Sequence, residues 1–110
     1  PVVCLSNPAE YFVSYGLQLK KRSGFPMTFP VELANGCVGY VPDEEAFGPN
    51  GGGYETRLTS YSNLEVTAGT QFMNVGLELA AKMKPAKLPE RPNGPTGKPW
   101  AYGDQPPQLK

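Results

Sequence analysis

N-G-C-V-G-Y-V-P-D-E-E-A-F-G-P-N-G-G-G-Y-E, residues Asn35 to Glu55, is the run of sequence on which the fold turns. Asn35-Gly36 lies between two strand-forming runs, Thr28–Leu33 and Cys37–Val41. An Asn-Gly pair in that setting predicts a β-hairpin, because both central positions of a type I′ turn need positive φ. The second strand then delivers Tyr40 at its end, and Pro42, which has no N–H for a ladder, stops it. Asp43 caps a short helix through Glu44, Glu45, Ala46 and Phe47. The glycines 51–53 follow, and Tyr54 beside Glu55 leads into a further predicted strand, Tyr54–Leu58.

Outward from this pivot, Val2–Leu5 reads as a buried strand. Ser6-Asn7-Pro8-Ala9-Glu10 reads as a helix start, with Asn7 at the N-cap, Pro8 at the first helical position and Glu10 closing a capping box. Phe12, Tyr15, Gly16 and Leu19 share a face of that helix. Lys20, Lys21 and Arg22 suit its last turn and the dipole there, and Ser23-Gly24 ends it. Pro30 marks its strand as an edge or a bulge. A polar connection, Thr59–Asn63, precedes a second helix over Gly69–Lys84. Thr67 or Thr70 is its cap, Phe72, Val75, Leu79 and Met83 its apolar face, with Leu77 and Ala80 beside it, and Pro85 its end. These elements predict an α+β domain, or an α/β fragment, in residues 1–84: a small sheet with the hairpin, packed by two main helices. Residues 85–110 hold seven prolines and three glycines. That composition predicts an extended tail with Trp100 and Tyr102 as its anchors.

The 110 residues bound a single domain with a modest core. Ten basic and ten acidic side chains cancel, which argues against a nucleic-acid or anionic-membrane surface. No apolar run reaches the roughly 18 residues of a membrane span. A chain opening Pro-Val-Val on a strand, without an initiator Met or a signal pattern, reads as a piece of something longer. Cys4 and Cys37 lie in apolar runs, where a free cysteine behaves as a small hydrophobe; the sequence leaves their pairing open. There is no histidine, so the commonest metal ligand and general base would come from elsewhere.

Three blocks, P-A-E-Y-F-V-S-Y-G-L-Q-L-K-K-R-S from Pro8, L-A-N-G-C-V-G-Y-V-P from Leu33 and G-G-Y-E-T from Gly52, resemble the neutral/alkaline non-lysosomal ceramidase-like family in the same order. The resemblance spans residues 1–84 and implies the C-terminal part of that family's catalytic domain. It implies Glu10 and Tyr40 as zinc ligands, and Tyr54 as a contact to the scissile amide. Ala9 and Cys37 stand where the family has glycine and tyrosine. The family's two zinc-binding histidines and its serine nucleophile lie outside this sequence. The resemblance therefore implies a partner, the N-terminal part of the same catalytic domain as a separate or processed chain. It also implies a lipid-amide substrate and an extracellular or periplasmic setting.

Plainer readings stand beside these. Glu10 in a capping box would turn back to Asn7 and could not reach a metal. Tyr40 has the pattern of a half-buried strand aromatic, and Tyr54 that of a loop end. Glu44 and Glu45 fit a solvated helix start, and Lys20–Arg22 a solvated helix end. Two function classes follow. One is a segment of a zinc-dependent amide hydrolase that is inactive alone. The other is a non-catalytic structural or interaction domain of the same fold, associating with a longer chain.

Overall fold

The computed structural model describes residues 1–84, 86, 87 and 90. It is a small mixed domain of two helices and two short pairs of parallel strands. In chain order these are β1 (Val2–Ser6), β2 (Glu10–Tyr11), α1 (Val13–Arg22), β3 (Met27–Val31), β4 (Tyr40–Val41) and α2 (Ala68–Lys82). Two turns of 3-10 helix, Glu44–Phe47 and Tyr54–Thr56, lie between β4 and α2. The extended tail and its anchors Trp100 and Tyr102 lie outside the described residues, as does the stop at Pro85.

The expected hairpin does not form. β3 pairs with β1 in parallel, from Val2 opposite Met27 to Ser6 opposite Val31. β4 pairs with β2, Glu10 opposite Tyr40 and Tyr11 opposite Val41. A parallel pair needs a long crossover, and α1 supplies it between β1 and β3. Asn35 and Gly36 do take positive φ, 64° and 153°, but Leu33 does so as well, at 51°. The loop they build is wide, and its main chain bonds to the segment between β1 and β2. Asn7 N donates to Val31 O (2.9 Å), Ala34 N to Asn7 O (3.0 Å) and Val38 N to Pro8 O (2.7 Å). These bonds join the two strand pairs and leave no strand at Cys37–Gly39.

The predicted start of the first helix is also displaced. α1 begins at Val13 with Phe12 at the N-cap and no side-chain cap. Asn7 instead accepts a bond from Ala9 N through Oδ1 (3.2 Å), an Asx-type turn, and Glu10 enters β2. The capping-box reading of Glu10 is thereby overturned. At the other end the expectation holds: Ser23 N donates to Leu19 O, and Lys20, Lys21 and Arg22 are exposed.

Strand alternation puts Val3 and Leu5 inward from β1, and both helices lie over that face. Tyr15 and Leu19 of α1 meet Ala68, Met73 and Ala80 of α2, with Ala9, Tyr11 and Val41 completing the core. The face predicted for α2 holds in part: Ala80 is in the core and Phe72 and Leu77 pack against it. Val75, Leu79 and Met83 are exposed, whereas Gly69, Met73 and Ala80 are buried. A Cβ added at Gly69 would run into the Tyr15 ring, so small residues, rather than the large apolar stripe, let the helices approach. Val2, Cys4, Met27, Phe29 and Val31 are likewise exposed on the outer face of β1 and β3. Cys4 and Cys37 are free and exposed, so neither is the buried hydrophobe expected.

Candidate functional site

The site is built by the pairing of β2 with β4. Tyr11 and Val41 point into the core, at 5% and 3% exposure. Alternation then turns their predecessors, Glu10 and Tyr40, to the opposite side as register neighbours. A carboxylate and a phenol thirty residues apart in sequence are thus brought together, each half-buried. Glu10 N donates to Gly39 O (3.0 Å) and Phe12 N to Val41 O (3.3 Å), which sets the register over this short ladder.

Tyr54 arrives from the glycine loop, though not on a strand. The expected strand Tyr54–Leu58 is a single 3-10 turn, closed by Arg57 N donating to Tyr54 O (3.2 Å) and Thr56 Oγ1 donating to Gly53 O (3.1 Å). Gly53, at φ 107° and ψ 176°, occupies backbone space that only glycine enters readily. The turn places the Tyr54 ring edge-on to Tyr40, with centroids 5.2 Å apart at 85°. Tyr54 is exposed and open to a ligand. Glu10, Tyr40 and Tyr54, expected as one set, therefore form one cluster.

The electrostatics of the cluster centre on Tyr40. Hydrogen bonding with Tyr54, and then with Glu10, holds its phenol well above the ordinary tyrosine range, and the Glu10 charge adds to this. A phenol donating to a carboxylate resists losing its proton. An open cavity of about 340 Å³ beside the pair is lined by Glu10, Glu32, Tyr40 and Glu55 together with Phe12 and Val13. A second groove of about 240 Å³ starts at Tyr40 and runs past Pro42, Phe47, Leu58, Leu64 and Val66. Three carboxylates line the first cavity, and the second mixes these apolar side chains with Glu55, Arg57 and Glu65.

The segment after β4 is tied to both helices. Ser14 Oγ donates to Asp43 Oδ2 (2.7 Å), and Thr70 Oγ1 donates to Glu44 Oε1 (2.6 Å). Asp43 also caps its 3-10 turn through Ala46 N, as expected. Glu44 thus bonds to α2 and does more than solvate a helix start. Thr70 is used in this bond, and Thr67, though at the N-cap of α2, makes no side-chain cap. Glu32, Glu55 and Ser62, which accepts a bond from Tyr40 N, were not singled out from sequence. Glu55 comes with its neighbour Tyr54, whereas Glu32 and Ser62 carry no local pattern and reach the site through the fold.

The chain matches no family model, no curated protein and no solved structure.

The donor set can be judged directly. Glu10 and Tyr40 offer two oxygens side by side, half of a four-coordinate zinc shell. Among the described residues no group of three or more His, Cys, Asp and Glu side chains is placed to hold a metal ion. Taken alone, the pair is an incomplete shell for such an ion. No helix among the described residues is long and apolar enough to cross a membrane.

Proposed function

We propose that this chain supplies Glu10, Tyr40 and Tyr54 to a zinc-dependent hydrolase of N-acyl amides resembling neutral ceramidase, and that it is inactive alone. The observation that carries the reading is the register pairing of Glu10 with Tyr40, with the Tyr54 ring against Tyr40. In this reading Glu10 and Tyr40 hold the metal and histidines of the N-terminal part of the catalytic domain complete its shell. Bound zinc would supply Lewis acidity and lower the pKa of a coordinated water toward about 7. Tyr54, exposed and with its ring against Tyr40, donates its O–H to the oxygen on which charge develops. Phe47, Leu58, Leu64 and Val66 in the groove leading from Tyr40 suit an acyl or other aliphatic arm of the amide. A lipid substrate and an extracellular or periplasmic setting follow from the resemblance.

A second reading, a non-catalytic domain that packs against a longer chain, is favoured by one observation. Parallel sheets are ordinarily covered on both faces, yet the outer face of β1 and β3 presents Val2, Met27, Phe29 and Val31 to solvent. Metal analysis with intact mass, on protein from its native source, separates the two. Stoichiometric zinc with a histidine-bearing polypeptide, both reduced by Tyr40→Phe or Glu10→Gln, is the expected result. A metal-free complex with such a polypeptide leaves the packing role, and a metal-free lone species removes the hydrolase reading.

A further inference from the structure

We infer that Ser62 is a positioning residue for Tyr40, its hydroxyl closing the free edge of β4 so that the phenol stays beside Glu10 and Tyr54. The inference rests on reading those three residues as one site. Glu10 and Phe12 donate to the carbonyls of Gly39 and Val41, so the groups facing β2 belong to those two residues. The N–H of Tyr40 faces the other way, onto an edge where, among the described residues, no strand lies. Ser62 Oγ accepts its hydrogen bond at 2.8 Å. Ser62 is 7% exposed, so water is poorly placed to substitute for it.

The hydroxyl is itself held. Ser62 N donates to Thr59 Oγ1 (2.8 Å) and Thr59 N donates to Ser62 O (3.0 Å), a reciprocal turn that fixes the serine. Gly39, at φ 76°, lets this turn lie against the strand: a Cβ there would run into the Ser62 hydroxyl and the Tyr61 carbonyl. Gly39 also hands its carbonyl to Glu10 N. One residue pair, Gly39 and Ser62, therefore couples the carboxylate strand, the phenol strand and the turn beyond them.

Amide hydrogen exchange and ring-to-ring nuclear Overhauser contacts in the full 110-residue chain test this. In the wild type the Tyr40 amide is protected although it lies at a strand edge. In Ser62→Ala its exchange speeds by about tenfold, the value of a lost buried hydrogen bond. The Tyr40–Tyr54 ring contact weakens with it, while amides of β1 and α1 change far less. Ser62→Thr, which keeps the hydroxyl, retains protection and ring contact. A Tyr40 amide exchanging freely in the wild type would overturn the inference, and that measurement decides even where the alanine variant does not fold. Equal behaviour of the alanine and threonine variants, or a speeding of exchange shared equally by β1 and α1, would overturn it too. None of these readouts involves zinc. A metal-free native assembly would therefore remove the hydrolase reading while leaving the Ser62 result to stand or fall separately.

Discussion

The two strand pairs of this domain are held by different forces. β1 and β3 share five register positions, and the buried Val3 and Leu5 lie under two helices. β2 and β4 share two positions and rely on loop hydrogen bonds, a buried serine and a glycine that admits it. Apolar burial under two helices supports the first pair over five positions, whereas the second adds main-chain and serine hydrogen bonds to the burial of Tyr11 and Val41. The candidate site sits on the second. Its side chains can thus be polar and accessible because the stability of the fold is generated elsewhere.

The sharpest way to break the comparison is to damage the first pair's support. Leu19 is 4% exposed and packs between the helices and the sheet. Leu19→Ala is expected to cost about 2–5 kcal/mol, from lost transfer free energy and the cavity left behind. Against a typical total of about 5–15 kcal/mol for a small domain, this is a large share. Chemical denaturation would register it as a lower midpoint. An unchanged midpoint would mean that the helices do not carry the fold.

Gly39→Ala attacks the second pair. The new methyl meets Ser62 and the Tyr61 carbonyl, and φ 76° is strained for alanine. An overall cost of about 1–3 kcal/mol is expected, smaller than that of Leu19→Ala. Its local effect should be larger, with loss of the Tyr40–Tyr54 ring contact before any loss of helical circular dichroism. A variant that loses helix and ring contact together would show that the two pairs are one cooperative unit.

What could be read from the sequence follows the same division. The existence of two helices, the acidic 3-10 turn capped by Asp43, and the mixed α+β class all rest on local chemistry, and they hold. Parallel pairing leaves no local mark, so Asn35-Gly36 looked like a hairpin turn although the partners of β3 and β4 lie earlier in the chain. Glu10 looked like a capping residue because its capping partner, Asn7, was assumed to start a helix. Tertiary pairing drew Glu10 into a strand and set it beside Tyr40. Tertiary packing also turned the buried face of α2 away from Val75, Leu79 and Met83, since close approach to the Tyr15 ring requires glycine at Gly69. The three residues suggested by resemblance do converge, but Ser62 and Gly39, which arrange them, had no visible signal.

Alkaline pH probes the core through its tyrosines. Burial, above all, pushes the Tyr11 phenol up from its ordinary value of 10.0, and Tyr15 moves the same way, again chiefly through burial. A folded pKa above the unfolded one means that the unfolded chain ionises first. The stabilisation is complete below the ordinary value and is lost as pH rises from there through the folded pKa. Thermal or denaturant midpoints should therefore be insensitive to these groups at neutral pH and fall above about pH 10. Tyr11→Phe should flatten part of that decline while costing stability at neutral pH, because Gly69 O loses its donor. A decline unaffected by Tyr11→Phe would place the responsible group elsewhere, with Tyr40 of the second pair the next to replace.

The smallest expected effect lies on the exposed side of α2. Leu79 is 51% exposed and Val75 54%, so a polar replacement there removes little burial. Leu79→Lys should change the stability of the isolated chain by no more than about 0.5 kcal/mol, the ordinary range for a surface position. Ala80, one residue on, is 1% exposed, and Ala80→Leu should cost about 1–3 kcal/mol by overpacking. The contrast between adjacent positions tests which face of α2 meets α1 more directly than either value does. A large loss at Leu79 with tolerance at Ala80 would restore the face that hydrophobic periodicity predicts. The reverse would confirm that the helices meet through small residues, leaving the larger apolar stripe free for another surface.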